Sequence, residues 1–396
     1  MLSYRKLAMR VLGRPLHTGG NDSPRPASQR AAAFILTAAM LTTLAAPAFA
    51  DTWCIENGNI TVKAGDTEGT NKVSQGSIID REDTNTIITN SDKDTASSNT
   101  VTIDAGNDKV EVTLDNVNIK AGSGSALTSK GDVTLTLKGD NHLTGGISDT
   151  GNYGRNGIAS TGSLTISGGS TVTANGGNGG NVSGDGISSN GSVTISGGTV
   201  KAAGGDSKDG YGGDGIRSDG GVTISGNTVN AAGGSGGKVG GYGICSFDRV
   251  AISGGTVTAN GGDGSSGGDG IRSGDIDLSG SLELTAKAGS PNGKALSQRG
   301  NELDLDDIKD KLGPGAKVTA TDANGETKQV SIPRPVEPEE PSSSSDGGSA
   351  TPSTPASPLP GLTVTDKSGA VISYTSTQSG NTLTVCVGRF TASLRA

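Results

Sequence analysis

The amino-acid sequence predicts an all-β fold: a right-handed single-stranded parallel β-helix, which is a solenoid of stacked coils. Two observations predict it. Glycine contributes 67 of the 396 residues and aromatic residues only 3%, so the chain has few bulky side chains for a globular core. A segment of about 28 residues also recurs in the middle of the chain, and repeats of this length are typical of solenoids. The repetition argues against disorder, which a high glycine content otherwise favours.

The repeat is anchored on an isoleucine that follows a glycine. These anchor isoleucines are spaced by 29, 29, 28 and 27 residues and are Ile158, Ile187, Ile216, Ile244 and Ile271. Each copy contains three segments of alternating apolar and polar residues, as in 187–189, 193–196 and 200–202. Alternation of period two predicts strands, and the Gly-Gly and Asn-Gly pairs between them predict turns. Three strands and three turns describe one coil of a parallel β-helix.

Stacked coils predict columns of equivalent side chains about 4.8 Å apart. The anchor isoleucines are predicted to form one buried column. A second column comprises Val172, Val200, Val229 and Val257. A serine two residues after each anchor is predicted to point inward and to hydrogen-bond along its own column. These serines are Ser160, Ser189, Ser218, Ser246 and Ser273. The glycine before each anchor, as in Gly186 and Gly215, is predicted to need a backbone conformation that other residues avoid.

Residues 1–50 are predicted to be a signal peptide. Six basic residues precede an apolar run over 31–46, and the segment ends in Ala48-Phe49-Ala50, a small-x-small cleavage pattern. A membrane anchor is the alternative, but the run is short for a bilayer and Pro47 follows it. The prediction places the mature protein outside the cell, either secreted or at the cell surface.

The charge of the chain disfavours two classes of partner. Six of the 32 basic residues and one of the 40 acidic residues lie in 1–50, so the remainder carries 26 and 39 and has a net charge of −13. An acidic protein is expected to avoid nucleic acid and anionic membranes. Direct binding of an anionic polymer is disfavoured for the same reason, unless a cation lies between them.

The predicted β-helix spans residues 51–312. Its N-terminal cap is expected within 51–100, and a short helix over 303–312 is expected to cover the other end. Caps are needed because both ends of a solenoid expose unpaired strand edges. A β-hairpin extension is predicted over 313–332, with its turn at Asn324-Gly325.

Two further segments follow the hairpin. A Pro/Ser-rich linker is predicted over 333–360 because this composition favours an extended, solvated chain. A small β module is predicted over 361–396, with strands near 362–365 and 383–387. Thirty-six residues are few for an independent core, so the module is predicted to be truncated or to need a partner.

Several motifs resemble those of a family of secreted bacterial carbohydrate-binding proteins. They are the run Val112-Thr113-Leu114-Asp115-Asn116-Val117-Asn118-Ile119, the run Gly131-Asp132-Val133-Thr134-Leu135, and the serial Asp-Gly-Ile-x-Ser and Val-Thr-Ile-Ser-Gly-Gly motifs. The resemblance covers residues 57–300. It implies a right-handed parallel β-helix similar to that of pectate lyases, and binding of plant cell-wall polysaccharide and calcium. The motifs form strands and turns, so they indicate the fold more strongly than the ligand.

Tyrosines and arginines beside the anchors are the candidate carbohydrate-binding residues. Tyr153 and Tyr211 each lie five residues before an anchor, and the copy between them has Val182 there. Two coils span about 10 Å, comparable to a disaccharide, and tyrosine rings pack against sugar faces. Arg217 and Arg272 follow their anchors directly and are predicted to face outward. Ordinary loop packing is the alternative for the tyrosines, and solvated surface charge for the arginines.

Aspartates before the anchors suggest calcium as a cofactor. Asp185 and Asp214 are predicted to lie side by side in successive coils, with Asp269 in the same column and Asp206 in the same loops. Adjacent carboxylates repel each other unless a cation bridges them. The alternative is that each aspartate only forms a turn with the glycine that follows. The calcium-binding Gly-Gly-x-Gly-x-Asp repeat does not fit, because Arg217 replaces its last aspartate.

The sequence favours a binding protein over an enzyme. His142 is the one histidine after residue 50, which disfavours a catalytic triad and a zinc site. The glycine-rich loops are predicted to offer too little burial to tune the pKa of an acid. Cys54, Cys245 and Cys386 are an odd number, so at least one is unpaired within the chain; all three are predicted to be structural.

The predicted function is therefore extracellular polysaccharide binding, with calcium as the candidate cofactor. One alternative is a structural or adhesive surface rod that displays the C-terminal module. Another is a polysaccharide lyase, in which the aspartate column would hold calcium and Arg217 or Arg272 would serve as the base.

Overall fold

A computed structural model describes residues 51–334 and three strands between residues 375 and 395. The predicted signal peptide, nearly all of the predicted linker and the predicted strand at 362–365 lie outside these residues. The chain divides into two units, residues 1–335 and 336–396, and each is described by itself.

The first unit is a parallel β-solenoid of about 8 turns, which confirms the predicted all-β parallel fold. Its N-terminal region contains five short strands: β1 (Thr52–Cys54), β2 (Ile60–Ala64), β3 (Asn71–Gln75), β4 (Ile78–Asp83) and β5 (Ile87–Thr89). Two long strands follow, β6 (Val101–Asp115) and β8 (Leu127–Lys138), and each runs through two walls of the solenoid. Beyond them, the coils contribute separate short strands to three walls, except that the last coil has no strand in the second wall.

The first wall contains the anchor strands and the strand that follows them: β10 (Ile158–Ser160), β13 (Ile187–Ser189), β16 (Ile216–Ser218), β20 (Ile244–Ser246), β24 (Ile271–Ser273) and β27 (Leu296–Gln298). The second wall contains β11 (Leu164–Gly168), β14 (Val193–Ile195), β17 (Gly221–Ile224), β21 (Arg249–Ile252) and β25 (Asp275–Leu278). The third wall contains β7 (Asn118–Lys120), β9 (Asp140–Thr144), β12 (Thr171–Asn175), β15 (Thr199–Ala203), β18 (Asn227–Ala232), β22 (Gly255–Asn260), β26 (Leu282–Lys287) and β29 (Lys317–Thr321).

The predicted apolar columns form the core. The five anchor isoleucines pair in register along the first wall and are fully buried. The four predicted valines do the same along the third wall. Full burial of one such side chain stabilises the fold by roughly 1.5–3 kcal/mol, so the repeated columns stabilise every coil.

The serine column is buried as predicted, but its hydrogen bonds differ from those predicted. Ser189 Oγ donates to the carbonyl of Gly162 at 2.7 Å, and Ser218 Oγ donates to that of Gly191 at 2.7 Å. A hydroxyl has one proton to donate, so these serines bind the turn of the preceding coil and not the next serine. The column therefore fixes the turn between the first and second walls.

The reason for the glycine before each anchor also differs from the prediction. Gly186 and Gly215 are absent from the residues with positive φ among those described. A Cβ on Gly186 would instead lie 2.7 Å from the backbone nitrogen of Ala203 and 2.7 Å from the carbonyl oxygen of Gly215. Close approach of neighbouring backbone, and not an unusual dihedral angle, requires glycine at this position.

Both ends of the solenoid are covered. At the N-terminal end β1 pairs with β5, and β2, β3 and β4 form an antiparallel arm; a 3-10 helix spans Ile55–Asn57. Near the other end, β28 (Asn301–Glu302) turns back on β27, and the predicted helix is a 3-10 helix over Leu305–Lys311. The hairpin is confirmed, because β30 (Thr327–Ser331) pairs antiparallel with β29. β29 also pairs in parallel with β26, so the solenoid continues beyond the predicted boundary at 312.

The second unit contains a three-stranded antiparallel sheet of β31 (Thr375–Ser379), β32 (Thr382–Val387) and β33 (Phe390–Arg395). The strand predicted at 383–387 lies within β32. In the described part of the chain, no helix is long and apolar enough to cross a membrane.

Candidate binding face

The glycine-rich loops between the third wall and the next anchor form a fourth layer, here named the loop stack. It comprises residues 145–157, 176–186, 204–215, 233–243 and 261–270. Successive loops are joined by parallel bridges and by the strand pair β19 (Gly236–Val239) and β23 (Gly264–Ser266). The loops predicted as simple turns are therefore an ordered part of the solenoid.

Backbone contact between glycines holds the loop stack together. Two hydrogen bonds join successive loops: Gly205 N–H donates to the Gly184 carbonyl at 2.9 Å, and Gly234 N–H donates to that of Gly213 at 2.8 Å. A third closes one loop on itself, because Gly213 N–H donates to the Gly205 carbonyl at 2.9 Å. A Cβ on Gly213 would overlap the carbonyl oxygen of Gly184. Only glycine permits the backbones to approach this closely.

A row of exposed side chains follows the loop stack, here named the tyrosine row. Tyr153 pairs with Val182, Val182 with Tyr211, and Tyr211 with Val239. Tyr153 is 52% exposed and Tyr211 50% exposed, so each ring presents a large part of its surface to solvent. The predicted spacing of two coils is confirmed by this register. With about 4.8 Å per coil, the two tyrosines lie roughly 10 Å apart along the solenoid.

The aspartates before the anchors form a ladder of hydrogen bonds. Asp185 N–H donates to Asn156 Oδ1 at 2.8 Å, Asp214 N–H to Asp185 Oδ1 at 2.8 Å and Tyr242 N–H to Asp214 Oδ1 at 2.7 Å. Each side chain thus accepts from the backbone of the next coil. The ladder stops at Tyr242, which has no carboxylate to continue it, and resumes when Asp269 accepts from Lys294 N–H at 2.8 Å.

Asp206 belongs to a second ladder of the same kind. Its N–H donates to Asn178 Oδ1 at 2.9 Å, and its own Oδ1 accepts from Ser235 N–H at 2.7 Å. Further along, Asp263 accepts from Ser290 N–H at 2.8 Å. Asp206 therefore has a different set of partners from Asp185 and Asp214, the two predicted metal ligands that the structure does bring together.

Asp214 is a buried acid of this face. It is only 5% exposed, and burial, with the adjacent Asp185 as the second cause, raises its pKa to about 7. Burial also raises the pKa of Asp185. Arg217 opposes the shift of Asp214, and its Nη1 lies 3.5 Å from the Asp214 carboxylate. The prediction that these loops offer too little burial to tune an acid is therefore wrong, because the loops bury the side chain of Asp214 almost completely.

Arg217 and Arg272 form a cluster on the outer surface of the first wall. Arg217 lies 5.1 Å from the centre of the Phe247 ring, and Arg272 lies 5.0 Å from that of Tyr242. Arg272 Nη1 donates to the Tyr242 hydroxyl at 2.6 Å and lies 4.0 Å from Asp269. Both guanidinium groups are thus engaged within the protein, although they remain partly exposed.

Cys245 lies between the two arginines in the register of the first wall. It is a buried free thiol, and burial raises its pKa to about 12, with Asp214 raising it further and the two arginines opposing. A thiol held in its protonated form is a poor nucleophile, which fits the predicted structural role. Cys54 is also free and half-buried.

The predicted site residues therefore fall into separate groups. Tyr153 and Tyr211 belong to the tyrosine row, whereas Arg217 and Arg272 belong to the first wall. In residues 51–334, no three His, Cys, Asp or Glu side chains lie close enough to hold a metal ion. His142 is exposed on the third wall, in register with Asn118 and Thr173.

Sequence reasoning missed two features of this face. The first is Phe247, which is 63% exposed and stacks on Arg217; its place directly after a column serine was the available signal. The second is the pair of ladders, which were visible as Asn or Asp recurring at fixed positions in successive loops.

Comparisons with protein-family models, with curated proteins and with solved structures found no match. Function must therefore be inferred from the geometry of the chain itself.

Proposed function

We propose that the solenoid binds an extracellular polysaccharide through the loop stack, with Tyr153 and Tyr211 packing against sugar rings. The observation that carries this proposal is the pair of half-exposed tyrosines held in register two coils apart. Aromatic side chains exposed at fixed spacing on a rigid backbone bind with little loss of conformational entropy. The extracellular location rests on residues 1–50 acting as a signal peptide.

The polar surroundings of the tyrosine row suit a sugar ligand. Exposed Asn152 directly precedes Tyr153, and exposed Asn181 directly precedes Val182. Amide side chains both donate and accept hydrogen bonds, as sugar hydroxyls also do. A binding site for a polysaccharide needs such groups beside an apolar ring, and each contact need only be weak because several act together.

Calcium is not required by this proposal. The repulsion between Asp185 and Asp214 that suggested a cation is relieved by Arg217 and by backbone N–H groups. The raised pKa of Asp214 further reduces its negative charge near neutral pH. A binding assay with and without a chelator tests the point, and we expect equal affinity.

The test of the proposed function is a binding assay on a panel of soluble polysaccharides by affinity electrophoresis. Tyr153→Ala and Tyr211→Ala should each weaken binding by about 2- to 10-fold, since one aromatic contact contributes roughly 0.5–1.5 kcal/mol. Phe247→Ala is the matched control, because it removes an exposed ring from the first wall and not from the tyrosine row. Failure of every polysaccharide to bind, or equal losses in Phe247→Ala, would refute the proposal.

A polysaccharide lyase is a second candidate, favoured by the raised pKa of Asp214 and the nearby Arg217. The geometry argues against it, because Asp214 is nearly inaccessible and its Oδ1 already accepts from Tyr242. The predicted base, Arg217, is also engaged with Asp214 and with the Phe247 ring, whereas a general base must reach the proton that it removes. Incubation with polygalacturonate and calcium, followed by absorbance of the unsaturated product, should show no turnover. Turnover that is lost in Arg217→Ala would establish the lyase instead.

A further inference from the structure

We propose that an extended, uncharged glycan chain lies along the tyrosine row, parallel to the solenoid axis, and that a tyrosine ring on every second coil contacts it. We call this spacing of the contacts the two-coil phase. This inference rests on the proposed function and adds the direction, repeat and charge of the ligand. In this arrangement Val182 occupies the coil between the two tyrosines and so keeps their rings two coils apart.

The direction follows from the register of the row. Tyr153, Val182, Tyr211, Val239 and Ser266 occupy successive coils at one position, so the line joining them runs from coil to coil along the axis. A chain that crossed the row at a right angle would meet only one tyrosine. Simultaneous contact with both tyrosines therefore requires a chain along the axis.

The repeat follows from the identity of the side chains. Rings occur at the first and third positions of the row, whereas Val182 and Val239 occupy the second and fourth. Neighbouring coils are about 4.8 Å apart, close to the length of one sugar unit in an extended chain. The rings thus meet alternate sugars, which present the same face when the chain repeats every two units. A glycan that coils tightly does not keep its sugars in line and loses the second ring.

The charge follows from the residues beside the row. Six exposed charged residues lie within four residues of it in sequence: Asp149, Arg155, Lys208, Asp209, Lys238 and Asp263. Three are positive and three are negative, so neither a polyanion nor a polycation is attracted along the row. An uncharged chain is complementary to this mixed surface.

Ser266 offers a direct test because it is the next position of the row at a spacing of two coils from a tyrosine. Ser266→Tyr would place a third ring two coils beyond Tyr211, whereas Val239→Tyr would place one only a single coil beyond it. The assay is calorimetric titration with cello-oligosaccharides of two to six units, as extended uncharged probes, and with malto-oligosaccharides as coiled ones. Ser266→Tyr should increase affinity for the hexaose by about 2- to 10-fold and leave that for the disaccharide unchanged; Val239→Tyr should increase neither.

A second variant keeps the number of rings and changes only their spacing. Tyr211→Val combined with Val182→Tyr brings the two rings into adjacent coils, and it should lose as much affinity as Tyr211→Val alone. Thermal unfolding of each variant shows whether the loop stack is intact. This pair keeps the proposal testable if Ser266→Tyr does not fold.

The outcomes separate the two proposals. Equal gains from Ser266→Tyr and Val239→Tyr, full binding by the shifted pair, or malto-oligosaccharides binding as tightly as cello-oligosaccharides would overturn the two-coil phase. Each of those results leaves polysaccharide binding by the tyrosines standing. Absence of binding to every probe and to every polysaccharide of the panel would overturn both.

Discussion

The walls and the loop stack of this solenoid are held together in opposite ways. In the walls, branched apolar side chains such as Ile187 and Val200 fill the space between strands. In the loop stack, glycines such as Gly205 and Gly213 bring backbone directly against backbone. A side chain stabilises the first region and disrupts the second. Within one coil, loss of a side chain is therefore expected to destabilise the walls, whereas addition of a side chain is expected to destabilise the loop stack.

This difference has a functional consequence. Among the side chains that the glycine-rich loop stack carries, some project outward, like Tyr153, and others are buried, like Asp214. The first kind supplies a contact surface at fixed spacing. The second kind supplies hydrogen bonds that lock one coil to the next.

The largest expected effect comes from adding a methyl group to the loop stack. Gly213→Ala should lower the free energy of unfolding by at least about 3 kcal/mol, because the added Cβ overlaps the Gly184 carbonyl and backbone must move. Chemical denaturation measures it. Gly169→Ala is the matched control, since a Cβ there meets nothing within 4 Å and its φ is not positive; it should change stability by less than about 1 kcal/mol. Equal effects would show that the loops are loosely packed.

The walls could be predicted from the sequence and the loop stack could not, for a physical reason. Ile158 and Ile187 repeat in an alternating pattern, and burial of alternate residues is the direct cause of a strand. A glycine carries no side chain to show a period, so the loops at 204–215 read as turns. Their packing depends on contacts between coils, which no local pattern records. The register of Tyr153 and Tyr211 was predictable because it follows from the repeat alone, whereas the burial of Asp214 follows from the unrecognised packing.

A smaller effect is expected on the pH dependence of stability. The pKa of Asp214 is raised to about 7 in the folded protein, whereas the pKa of an aspartate in the unfolded chain is about 3.9. The folded state therefore holds a proton that the unfolded state has released, and the free energy of unfolding should fall as pH rises from about 4 to about 7. Asp214→Asn cannot ionise and should remove much of this decline, up to a few kcal/mol.

Thermal unfolding of both proteins between pH 4 and pH 8 checks this prediction. Asp206→Asn is the control, because Asp206 is exposed and plays the same part in its own ladder; it should leave the pH profile unchanged. If the stability of Asp214→Asn falls with rising pH as steeply as that of the wild type, burial of Asp214 beside Asp185 is not the cause of the decline.

The smallest expected effect lies in the walls. Ser189→Ala removes the hydrogen bond to the Gly162 carbonyl and should cost about 1 kcal/mol. Ser129 occupies the same column but its buried hydroxyl has no hydrogen-bond partner, so Ser129→Ala should be neutral or slightly stabilising. Denaturant titration of the two variants compares them directly. A larger loss for Ser129→Ala than for Ser189→Ala would contradict the assignment of the serine column to the turns.

Hydrogen–deuterium exchange of the ligand-free protein tests most directly whether the loop stack is a rigid layer that can hold the tyrosines in register. Peptides covering 204–215 and 233–243 are compared with wall peptides covering 221–232. We expect similar slow exchange in both regions, because loop amides such as those of Gly205, Gly213 and Gly234 donate to backbone carbonyls at 2.8–2.9 Å. Rapid exchange of the loops beside slow exchange of the walls would contradict a rigid loop stack.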